Sequence, residues 1–143
     1  MLCTVPQPKA LCFRRNIIDN EEFVARLKQV VHDDVTQKLL SDLESPAGRN
    51  PPKSAKELSL WLSELPESDK DKLQKVVTHA THSAIFGMLA VLDGVRAIED
   101  DHDKGSLKLM WETGATEIML NDRDNQSLHD IYQSTVFEEV FGK

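Results

Sequence analysis

Cysteine is nearly absent: Cys3 and Cys12 are the two in 143 residues. Two thiols without CxxC spacing make neither a disulfide framework nor a zinc site. They read as the reduced cysteines of a cytoplasmic protein. Aromatic residues are sparse too, at 6%, so aliphatic side chains have to fill the core. No apolar run reaches the roughly 18 residues of a membrane span; the longest, AIFGMLAVL (84–92), is half that. The opening MLCTVPQPKALCFRR is broken by Pro6, Gln7, Pro8 and Lys9 where a secretory signal needs an apolar stretch. Glycine-rich phosphate loops, a GxSxG elbow and an HExxH zinc motif are all missing, which leaves nucleophilic and phosphoryl-transfer catalysis without a motif.

What is present is a chain long enough to bury roughly 70% of its unfolded surface. It reads as one globular domain, residues 19–143, preceded by an irregular, proline-broken arm, residues 1–18. Charge is uneven. The net charge is −7, and residues 93–143 hold twelve acids against five basic residues. An acidic half repels phosphate backbones, so no nucleic-acid partner is expected. It suits a basic protein partner, drawn in by electrostatic steering.

The apolar spacing predicts a mostly helical α+β fold with about four helices. Asn20 caps a first helix, with Phe23, Leu27, Val30, Val31, Val35, Leu39 and Leu43 at helical spacing. SPAGRNPP (45–52) ends it. Ser54 with Glu57, and Ser68 with Asp71, have capping-box spacing and open the next two helices. The second of these runs to at least Asp93, with Gly94 as its stop. Across 84–92 it is apolar on all sides, the mark of a buried central helix, and Gly87 leaves room for a close neighbour. A last amphipathic helix carries Leu128, Ile131, Tyr132, Val136, Phe137, Val140 and Phe141. Between them, SLKLMWETGATEIML alternates with period two. Folded about Thr113-Gly114, it pairs Trp111 with Thr116, Leu109 with Ile118 and Leu107 with Leu120, all on one face. This predicts an antiparallel β-hairpin over about 106–121, with 95–98 as an optional third strand.

The candidate sites are few. His79 and His82 are helix neighbours at i, i+3 and form a candidate zinc or manganese pair. Asp93 cannot complete it, because eleven residues of helical rise place it about 16 Å away. A third ligand would have to come from His32 or His129. The dipeptides His32-Asp33 and His129-Asp130 share only two residues with the metal-dependent phosphohydrolase signature and carry no function on that ground. Neither acidic turn fits the calcium loop: with Asp100 first, position twelve is Trp111, and with Asn121 first it is Tyr132. Both turns instead flank the hairpin. Asp100, Asp101, Asp103, Asp122 and Asp124, with Met110, Glu117 and Met119 on the outer hairpin face, make a candidate protein-contact patch.

The leading expectation is a small, acidic, cytoplasmic, non-enzymatic protein of the inhibitor, immunity or adaptor type, needing no cofactor and no membrane. The alternative is a metal-dependent hydrolase using His79 and His82. A third reading is self-association into a homo-oligomer through the hairpin edge.

Overall fold

The computed structural model describes residues 18–114 and 116–142. Both cysteines and, save for Ile18, the arm expected over 1–18 lie outside them. The described chain is four helices and a two-stranded antiparallel hairpin, an α+β fold. The first helix consists of α1 (Asn20–Leu27), a π-helical turn (Lys28–Asp33) and α2 (Asp34–Glu44). Then come α3 (Lys53–Glu64), α4 (Glu67–Leu92), β1 (Met110–Thr113), β2 (Thr116–Met119) and α5 (Leu128–Phe141).

The π turn changes which side of the first helix faces inward. An extra residue in a helical turn rotates everything beyond it by about 100°. Before the turn, Val24 is buried and Phe23 and Leu27 pack on the core. Beyond it, a regular helix would have turned Val31 and Val35 inward. Instead His32 and Thr36 are buried, while Val30 is exposed. The cap moves as well: Asp19, one residue before Asn20, accepts from the Glu22 amide at 2.9 Å.

The two predicted capping boxes do not form. Pro52 and Pro66 are the N-caps, without side-chain bonds, and their carbonyls accept from Lys56 and Asp69. Proline fixes φ near its helical value and gives up no needed donor there, so each helix starts just ahead of its serine. Helix α4 ends at Leu92 with Asp93 as C-cap, and Gly94 takes φ +73°, the left-handed position that suits glycine.

The core lies between α1, α4 and α5, built on Val24, Leu89, Leu128, Ile131, Tyr132, Val136 and Val140. Helix α4 is not the enclosed central element its composition suggested. Of the apolar run 84–92, Gly87, Leu89 and Ala90 are buried, but Met88 is 59% exposed. With Val76, Ala80 and Ala84 it forms an outward row spaced four apart. The neighbours of α4 are α5, α2 and the π turn, and they leave this row uncovered. By length and mean hydropathy, 1.2 over its best window, α4 would pass for a membrane span. In the fold its inner face packs on α5 through His82 and Phe86. Phe137 and Phe141, on the apolar stripe expected of the last helix, are half exposed.

In the hairpin, Trp111 pairs with Ile118 and Thr113 with Thr116, two residues out of the predicted register. Gly114, at φ +57°, takes a turn conformation and Thr113 stays in the strand. A slip of two keeps every side chain on its predicted face, since the side-chain period is two. Thus Leu109 packs on the core, Leu120 is buried, and Met110 with Met119 and Glu112 with Glu117 pair on the other face. Leu107 lies beyond the ladder and is exposed, and residues 95–98 add no strand.

Candidate functional site

Four of the five histidines lie along the seam between α4 and α5, His32 reaching it from the π turn and His129 standing at its far end. From the contacts His82–Phe141, His82–Tyr132 and Phe86–His129, α4 and α5 run antiparallel. Tyr132 is fully buried, with its ring stacked on His82 at 5.6 Å and 15°. Its hydroxyl meets His32 Nδ1 at 2.7 Å. Burial, aided by the charges of Glu139 and Asp33, pushes the phenol's pKa upward, so Tyr132 stays protonated. At the other end, Asp93 Oδ2 accepts from both the backbone amide and ring Nδ1 of His129, at 2.9 and 2.6 Å. This carboxylate joins the end of α4 to the start of α5.

The sequence singled out His79 and His82. Their shared neighbour is the Phe141 ring, edge-on to both at 5.6 and 5.2 Å, and it offers no ligand atom. Neither His32 nor His129 joins them: among the described residues, the group able to hold an ion is His32, Asp33 and Glu139, whose ligand atoms lie within 4.8 Å of one another. Periodicity could not find this trio, because it pointed His32 away from the core. The His-Asp dipeptide was visible, but its meeting with Glu139 depends on the π turn. Lys28 stands beside the trio, its ammonium 2.6 Å from Asp33 and 3.1 Å from Glu139. Burial lowers the Lys28 pKa, but hydrogen bonds to Asp33 and Glu139 outweigh it and the net shift is upward.

His82 is buried with Nδ1 unpartnered. Burial first, then the neighbouring His32 and His79, holds its pKa below the ordinary 6.5. The unfolded imidazole therefore takes up a proton at higher pH than the folded one. The stabilisation is complete above about pH 6.5 and declines as pH falls from there towards the folded value. Thermal unfolding should show Tm falling between pH 7 and 5, with a shallower fall in His82→Gln. Equal slopes would show that His82 does not carry the dependence.

The predicted contact residues lie on a different part of the molecule. Between α4 and β1, residues 94–108 are exposed without exception and form neither helix nor strand. Asp100, Asp101 and Asp103 lie here beside Val95, Ile98 and Leu107, the first two about 70% exposed. Asn121 holds this loop to the second acidic turn: its amide donates to the Leu92 and Leu107 carbonyls, and its oxygen accepts from the Leu109 amide. One side chain thereby fixes both ends of the loop and sets the turn bearing Asp122 and Asp124 alongside. Asp124 is exposed, and Asp122 is half-buried. The two segments enclose a cleft of about 310 Å³ lined by Leu92, Arg96, Ile98, Lys104, Leu107 and Arg123 among others. Arg96 lies across α4 at Gly87, where a Cβ would come within 2.7 Å of its guanidinium; this is the close approach expected of that glycine. On the hairpin, Met110 and Glu117 are exposed and Met119 is half-buried.

No protein-family model matches the chain, and no match is found among curated proteins or solved structures.

Proposed function

We propose that the protein works by binding another protein, through the loop 94–108 and the adjoining turn 121–126. The observation that carries this is fifteen consecutive exposed residues holding acids beside large apolar side chains. Loops longer than about 12–15 residues without secondary structure are uncommon, and where they occur they tend to serve binding. Val95, Ile98 and Leu107 supply apolar contact, while the acids, as a charged rim, steer a basic partner and set orientation. The cleft behind the loop accepts an anchoring side chain, the usual way a few residues dominate binding. An inhibitor, immunity or adaptor role fits an acidic protein with this surface.

The test is the association rate with the partner recovered by affinity capture. Changing Asp100, Asp101 and Asp103 to asparagine should slow association about tenfold at low salt and flatten its dependence on ionic strength. Unchanged rates would remove the steering role. The same carboxylates are solvent-exposed, so the variant should keep its thermal stability within about 0.5 kcal/mol.

A further inference from the structure

The π turn brings His32 and Asp33 up to Glu139 of α5, and one buried nitrogen among them makes no hydrogen bond. His32 is completely buried, and its Nε2 makes no hydrogen bond. That nitrogen points at Glu139 Oε1, 3.3 Å away. Cation binding calls for the tautomer with its proton on Nδ1, shared with the Tyr132 oxygen at 2.7 Å, which leaves the Nε2 lone pair facing the carboxylate. Asp33 completes the group, with all three ligand atoms within 4.8 Å of one another.

We propose that His32, Asp33 and Glu139 form a binding site for a divalent transition cation, and that the Lys28 ammonium competes for it. One imidazole nitrogen with two carboxylates suits zinc or manganese better than magnesium, which prefers oxygen alone. Tyr132 fixes the imidazole from behind, as outer-shell groups do for metal-binding histidines. The two carboxylates are 25% and 43% exposed, so the site is open to solvent on their side. Lys28 already bridges both, its ammonium 2.6 Å from Asp33 and 3.1 Å from Glu139, so the two carboxylates stand close enough to share one positive charge. Lys28 also makes binding to the wild type weak, because the ammonium has to leave. Helical π turns are rare and cluster at functional sites, and this one turns His32 inward. The site is separate from the loop 94–108, so neither proposal stands or falls with the other.

Titration calorimetry with zinc chloride on the tag-free protein tests this. Lys28→Met keeps the aliphatic stem and removes the competing charge. It is expected to bind one zinc per chain at least tenfold more tightly than the wild type, with magnesium giving no comparable heat. Adding Glu139→Gln, a change at a part-exposed side chain, should reduce the gain at least tenfold. Asp33→Asn provides a second ligand variant if the first alters folding by circular dichroism. Zinc binding by Lys28→Met no tighter than by the wild type, or unchanged by loss of either carboxylate, would overturn the proposal.

Discussion

Replacing Tyr132 with alanine is expected to cost about 3–5 kcal/mol of folding free energy, enough to bring a domain of ordinary stability close to unfolding. The ring is fully buried and stacks on His82, and the hydroxyl meets His32 Nδ1 at 2.7 Å. The truncation leaves a cavity between α1, α4 and α5 and removes the partner of a buried nitrogen. Tyr132→Phe separates the two effects. It keeps the ring against His82 and strands His32 Nδ1, for a loss of about 1–3 kcal/mol. Urea denaturation of both variants measures the difference. A phenylalanine variant as unstable as the alanine one would assign the whole effect to the hydroxyl.

Asp93 comes next in size. Its carboxylate, 4% exposed, accepts two bonds from His129 on a single oxygen. Asp93→Ala leaves a buried amide and a ring nitrogen of His129 without partners and should cost roughly 3 kcal/mol. Asp93→Asn, whose amide oxygen can still accept both bonds, should cost about 1 kcal/mol. Amide hydrogen exchange should localise the damage, with the first turn of α5 and the start of the loop at 94 exchanging faster in the alanine variant. Uniform acceleration across all helices would contradict the role given to Asp93 as the tie between α4 and α5.

The residues that local pattern could read were those governed by local physics. Gly94 stops α4 because a left-handed backbone is needed there. The hairpin faces were legible because a shift of two residues leaves alternation intact, although the pairing itself moved from Trp111–Thr116 to Trp111–Ile118. The serine caps were misplaced because Pro52 and Pro66 start their helices without any side-chain bond. The inward face of the first helix was hidden. Apolar spacing assumes 3.6 residues per turn throughout, and the π turn breaks that assumption between Lys28 and Asp33. This is why Val30 and Val31 were placed on the inner stripe, while His32 entered only as a possible third ligand for His79 and His82. Met88 was misread for another reason: an apolar-all-round stretch implies neighbours on all sides, and their number is not encoded in the stretch. Of the candidate contact patch, the acidic loop stands open to solvent as its composition suggested, whereas half-buried Met119 and Asp122 contribute less surface. The role of Asn121, whose three bonds link residues 92, 107 and 109, had no sequence signal at all.

Affinity capture from lysate of the cells that make the protein puts the binding function to the most direct test, with the wild type and an Ile98→Ser/Leu107→Ser variant run side by side. Both side chains are exposed, at 70% and 47%, so the variant keeps its core and loses only contact surface. The expected result is one protein recovered with the wild type in near-stoichiometric amount and lost with the variant. Equal recovery from both, or no protein enriched by the wild type, would contradict the account.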